Sequence, residues 1–102
     1  MKAYVISLVT VHDEEPLAEL RKGGASSRII HAHGGRYLTK HQPSEWYEGE
    51  IRPERIGIME FPSLQHARDY VTAPEFKEWT AERSKYADAM LVVVEGVDDP
   101  DA

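Results

Sequence analysis

The chain predicts an α+β fold in the order β-α-β-β-α-β, with an antiparallel four-stranded sheet and both helices on one of its faces. Three observations carry this. Four segments have the length and composition of strands, residues 3–11, 36–39, 55–61 and 89–95. Apolar side chains at helical spacing follow the first and the third of them. The runs Tyr4-Val-Ile-Ser-Leu-Val-Thr-Val11 and Met90-Leu-Val-Val-Val94 are apolar on both faces, although a strand alternates its side chains between the two sides of a sheet. Two helices cover one side. The other side needs a second protein surface, most simply another copy of the same sheet.

In the first strand, Tyr4, Ile6 and Leu8 share one face and Val5, Ser7, Val9 and Val11 the other. Asp13 is placed to cap the helix that follows, Glu14 and Glu15 suit the positive end of its dipole, and Pro16 is tolerated in a first turn. Leu17, Leu20, Gly24 and Ser27 continue at helical spacing towards Ile30. Gly23-Gly24 weakens the middle by about 1 kcal/mol per glycine relative to alanine, so the helix bends there or something packs close. Gly34-Gly35 supplies the stop, with His31 and His33 at the negative end of the dipole.

Arg36–Thr39 is the short second strand, and residues 40–53 form a polar excursion holding Trp46 and Tyr47 and closed by Pro53. A dimer contact suits those two aromatics. Arg55–Phe61 is the third strand. Ser63 is positioned to cap a helix bearing Leu64, Ala67, Tyr70 and Val71, and Thr72-Ala-Pro-Glu75 has the spacing of a capping box. A second helical piece therefore starts there, carrying Phe76, Trp79 and Arg83. The last strand runs from Ala89 to Glu95 and ends at Gly96. This order is the ferredoxin-like split unit, and right-handed crossovers place both helices on the same side. A bare apolar face of a few hundred Å² is worth several kcal/mol when covered, at ~25 cal/mol/Å². A two-fold dimer, sheet on sheet, covers it. The alternative is a monomer with the 40–53 excursion folded over that face.

The length, 102 residues, is that of one domain. Residues 1–97 make the domain, and the acidic tail 98–102, with nothing to bury, is expected to be disordered. With no cysteine, disulfides, thiolate nucleophiles and cysteine metal sites are excluded. A formal charge of −6 argues against nucleic acid and against an anionic membrane surface. The longest apolar runs are too short to span a bilayer, and Met1-Lys2-Ala3-Tyr4 passes straight into strand pattern without a signal-peptide core. A cytoplasmic setting is expected.

At Gly34-Gly-Arg-Tyr-Leu38, Glu48-Gly49, Arg55-Ile-Gly-Ile-Met-Glu-Phe-Pro-Ser63 and Val92-Val-Val-Glu-Gly96, in that order, the chain resembles the "domain of unknown function 1330" family over roughly residues 3–97. It departs from the pattern at Thr39-Lys-His-Gln42, where a glycine-rich turn is usual, and fits it loosely at Arg83-Ser-Lys-Tyr-Ala87. The resemblance implies the dimeric α+β barrel superfamily. That superfamily holds cofactor-free monooxygenases, lactone isomerases, polyketide cyclases and haem enzymes, so it does not choose a reaction.

Arg36 and Glu60 are the leading catalytic candidates. They lie on consecutive strands, where an arginine anchoring an anionic or carbonyl substrate would face a carboxylate acting as base. The blander account is an ion pair between neighbouring strands. His33 is a third candidate, as a general base at the rim, or simply a cation at a helix end. Tyr37, Tyr70, Phe76 and Trp79 are candidates for an aromatic lining between helices and sheet, with Arg83 beside them as a substrate-binding cation; equally they are plain core.

The five histidines show no metal-ligand spacing, since His31 and His33 diverge on a helix and His12, His41 and His66 are scattered, so no metal is expected. Ser7, Ser26, Ser27, Ser63 and Ser84 lack a nucleophile-elbow context, and neither glycine pair has the strand-to-helix placement of a phosphate loop. The expectation is a homodimeric small-molecule-binding protein. Any catalysis would be cofactor-free acid–base chemistry of isomerase, cyclase or monooxygenase type on a small aromatic or carbonyl compound. The competing expectation is a non-catalytic ligand-binding or structural dimeric module.

Overall fold

A computed structural model describes residues 1–40 and 42–98. The elements are β1 (Ala3–Val11), α1 (Glu14–Lys22), α2 (Ala25–Ala32), β2 (Arg36–Lys40), β3 (Arg55–Phe61), α3 (Leu64–Thr72), α4 (Pro74–Arg83) and β4 (Ala87–Glu95). The loop position expected for His41 and the disorder expected beyond Asp98 lie outside the described residues.

The strands form one antiparallel sheet in the order β2-β3-β1-β4. This is the α+β, ferredoxin-like arrangement that the element order predicted. In β1 the alternation is plain: Ala3, Val5, Ser7 and Val9 are buried, while Tyr4, Ile6 and Leu8 between them are half-exposed. Helices cover the first set. Among the described residues, no helix is long and apolar enough to cross a membrane.

The expected first helix is two helices. Gly24 adopts φ 70°, in the left-handed region that glycine enters without a Cβ penalty, and the chain restarts as α2 at the next residue. The break lets the two halves bury against different parts of the sheet. Leu17 of α1 packs with Val9 and Ala87, and Ile30 of α2 packs with Val5 and Phe61.

The second helical layer is also divided. Ala73 is extended because the ring of Pro74 disfavours helical backbone at the preceding residue. The capping box expected at Thr72–Glu75 does not form: Thr72 Oγ1 donates back to the Arg68 carbonyl at 2.7 Å, and Ala73 takes the cap position with no side-chain bond. Ser63 does cap α3, accepting the His66 N–H at 3.1 Å. Asp13 sits at the α1 cap position without bonding the helix through its side chain. The last strand begins at Ala87, two residues earlier than its apolar run, because Ala87 and Asp88 continue the β1 ladder opposite Val11 and Thr10.

The uncovered face of the sheet carries Tyr4, Ile6 and Leu8 from β1, Ile56 and Ile58 from β3, and Met90, Val92 and Val94 from β4. Met90, Val92 and Val94 are 51%, 50% and 46% exposed in the single chain. A contiguous aliphatic surface of this kind is unusual on a monomer in water.

Candidate functional site

Opposite this face, the core between sheet and helices is split in two. One cluster gathers Ala3, Val5, Ile30, Met59, Phe61, Ala67, Tyr70, Ala73 and Phe76; the other gathers Val9, Leu17 and Ala87. Between them one rung crosses the sheet: Lys40 opposite Gly57, Gly57 opposite Ser7, and Ser7 opposite Leu91. Gly57 has no side chain and Ser7 a short one, so the helices have nothing bulky to rest on at the centre of this rung. A cavity of about 90 Å³ results.

Its apolar wall is Val9, Met59, Phe76, Trp79 and Leu91, and its polar wall is Arg21, Ser26, Ser27, Tyr37, Lys40, Tyr70 and Arg83, with Ser7 in the floor. Four residues expected to contact a ligand, Tyr37, Tyr70, Trp79 and Arg83, are brought together here. Tyr37 reaches across from β2 to share a 2.7 Å hydroxyl–hydroxyl hydrogen bond with Ser26, in the first turn of α2. Tyr70 packs edge-on against Phe76, ring centroids 4.7 Å apart, and tilted against Phe61 at 5.0 Å. Lys40 Nζ lies 4.9 Å from the centre of the Tyr37 ring and 3.3 Å from the Ser27 hydroxyl.

Burial raises the Tyr37 phenol, an effect opposed by the Ser26 hydrogen bond and by the charge of Arg83. Burial raises Tyr70 further, helped by Tyr37 and opposed by Arg83. Burial lowers the Arg83 guanidinium, with Tyr70 and Tyr37 acting the other way. Near neutral pH the site therefore presents two neutral phenols and a cation, since arginine is not deprotonated in proteins.

Arg36, Glu60 and His33 are elsewhere. Arg36 and Glu60 do face each other, Nε to Oε1 at 3.1 Å, but on the uncovered face of the sheet. Lys2 Nζ joins the same Glu60 oxygen at 3.1 Å. These hydrogen bonds, Lys2's first and Arg36's next, hold the Glu60 carboxyl below its ordinary range. His33 ends α2 and meets Tyr70 edge-on from outside the cavity, centroids 6.2 Å apart. Among the described residues, no carboxylate or imidazole lines the cavity. No group of three or more histidine, aspartate or glutamate side chains disposed to hold a metal occurs among the described residues.

Ser7, Gly57, Lys40 and Arg21 are lining residues that residue-type reasoning missed. A signal existed: Ser7 and Gly57 are the inward positions that interrupt two otherwise apolar strands. What made them one site was their pairing across the ladder.

A family model described as "Domain of unknown function (DUF1330)" matches residues 2–97. No curated protein matches the chain. Among solved structures, a protein of unknown function from Rhodopseudomonas palustris is similar at 18% identity and TM-score 0.70, covering 96% of this chain and 84% of that one. SnoaB, a cofactor-independent oxygenase from Streptomyces nogalater, is similar at 12% identity and TM-score 0.61, covering 99% and 98%. A dimeric protein of unknown function and ferredoxin-like fold from Bacteroides fragilis NCTC 9343 is similar at 18% identity and TM-score 0.50, covering 93% and 96%. At these identities the likeness is one of fold.

Proposed function

The chain belongs to the DUF1330 family, a family without a stated reaction, and from that premise we propose that it is a homodimeric small-molecule-binding protein with one ligand cavity per subunit. The cavity over the Lys40–Gly57–Ser7–Leu91 rung carries the proposal, because apolar walls and a few convergent polar groups are the usual make-up of a ligand site. Two copies packed through their bare faces would bury Ile6, Ile58 and Val92 and leave both cavities on the outside of the assembly. That a protein of similar fold is described as dimeric supports a dimer.

Binding accounts for the lining better than general acid–base catalysis does. A base must lie within hydrogen-bond reach of the proton it takes. Arg36, Glu60 and His33 do not line the cavity, and both phenols in it are shifted away from ionisation. Arg36 and Glu60 are better read as the ion pair between neighbouring strands. A catalytic reading survives in one form, a substrate acidic enough to ionise by itself and then held as an anion by the cations of the wall. A cofactor-independent oxygenase is among the proteins of similar fold, at 12% identity.

The test is a thermal-shift and NMR screen of small acids, amides, lactones and quinols, run beside Gly57→Val. A Cβ at residue 57 meets nothing nearer than 3.8 Å, so valine fills the cavity without a clash at its first atom. A ligand that raises the melting temperature of the natural chain by mass action and loses that effect in Gly57→Val supports the proposal. A flat response across the panel, or an undiminished one in the variant, removes it.

A further inference from the structure

The wall of the cavity has one sign of charge. Among the described residues it holds Arg21, Lys40 and Arg83 and no aspartate or glutamate, in a chain where acidic residues outnumber basic ones by 18 to 12. Elsewhere Lys2 and Arg36 pair with Glu60, Lys22 with Glu19, Arg55 with Glu14 and Lys85 with Glu82, while Arg28, Arg52, Arg68 and Lys77 have no such partner among the described residues. Among the described residues, no carboxylate lies within ion-pair distance of Arg21, Lys40 or Arg83.

A half-buried guanidinium without a counter-ion is costly, since a charge taken out of water needs a partner. Ser7 adds a second, independent observation. It is 7% exposed, the single buried polar residue of the sheet's inner face, and its hydroxyl finds no hydrogen-bond partner among the described residues. Buried polar groups are nearly always satisfied, so an orphan in a cavity floor marks the place of something that binds there.

Resting on the binding role proposed above, we infer that the ligand is a small organic monoanion, a short-chain carboxylate, whose charged head is met by Arg83 and the Ser7 hydroxyl and whose tail lies against Met59, Phe76 and Trp79. Size narrows the class. An apolar cavity of roughly 150 Å³ is enough for benzene, and this one is about 90 Å³. Acids of about two to four carbon atoms fit that space better than the aromatic compounds suggested by the aromatic lining. The wall also suits a monoanion with a tail more than a bare phosphate, because most of it is hydrocarbon.

The experiment titrates the full isotope-labelled chain with butyrate and with butyramide, its neutral counterpart of the same shape, at fixed ionic strength. Butyrate should move the amide resonances of Ser7, Gly57 and Leu91 and bind about tenfold or more tightly than butyramide, the ratio expected when one hydrogen-bonded charge is added. Arg83→Gln should erase that ratio while Arg83→Lys keeps part of it. Ser7→Ala, which removes the other group on the charged head, should lower that ratio and gives the comparison if Arg83→Gln does not fold. Equal affinities for the acid and the amide at this rung would overturn the anionic class and leave the binding role intact. Shifts confined to surface lysines, an adventitious ion only, would overturn the inference, and silence at the rung towards every small molecule tried would take the binding role with it.

Discussion

Arg36 and Glu60 stand opposite each other in the β2–β3 ladder, bonded at 3.1 Å, on the side of the sheet away from the cavity. With Lys2 on the same oxygen, Glu60 ties the start of β1 to the edge strand β2 through β3. The pair is therefore a feature of the sheet and its uncovered face.

Glu60→Gln should lower the melting temperature modestly at neutral pH, because Lys2 and Arg36 are both well exposed and exposed ion pairs are weak. The folded chain holds this carboxyl below its ordinary value of 4.5. Its contribution is thus complete above that value and is lost as pH falls through the lowered one. Thermal unfolding of both proteins across the acid range should show the two curves merging at low pH. A gap that widens there would contradict the assignment.

Gly35 is held small by Phe61. A Cβ at residue 35 would lie 2.5 Å from the Phe61 ring, which is fully buried and cannot swing aside. Gly35→Ala should cost about 1–3 kcal/mol by overpacking, read from the urea midpoint at unchanged slope. An unshifted midpoint would mean that the ring has room the packing does not show.

Val92→Lys probes the bare face. In a lone chain this half-exposed side chain is worth little, within about 0.5 kcal/mol for an ordinary surface change. In a sheet-on-sheet dimer the same change buries two unpaired ammonium groups. Sedimentation should find the natural chain dimeric and the variant monomeric at the same concentration. If the variant stays dimeric, the contact lies on another surface.

The alkaline limb of stability should report the buried phenols. Tyr37 and Tyr70 are raised above the ordinary value of 10.0, so the folded chain keeps protons that the unfolded chain releases. Their contribution is present below that value and is lost as pH rises above it. Absorbance titration should show two late-ionising tyrosines accompanying unfolding. Tyr37→Phe should remove one of them and cost about 1 kcal/mol for the lost Ser26 bond.

Strand identity was legible because β1 and β3 are written in β-branched and aliphatic residues and end at unambiguous stops, Asp13 and Pro62-Ser63. The helix division was half legible. Gly23-Gly24 signalled a weakness, and only packing showed that Leu17 and Ile30 needed separate helices to reach separate clusters. The capping box at Thr72 was misleading, since Pro74 already provides a helix start and leaves Thr72 free to bond back to Arg68.

The aromatic and cationic wall, Tyr37, Tyr70, Trp79 and Arg83, was nameable from residue type and spacing, and so was the two-sided greasiness of β1 and β4. Local chemistry determines such things, because periodicity states which residues share a face. The tertiary structure alone decided that Ser7 and Gly57 meet on one rung, that Arg36 and Glu60 turn away from that rung, and that the cations gathered over it have no carboxylate of the described residues beside them. Register between strands distant in the chain is set by the packing of the whole sheet, and a one-residue slip would send every one of these side chains to the opposite face.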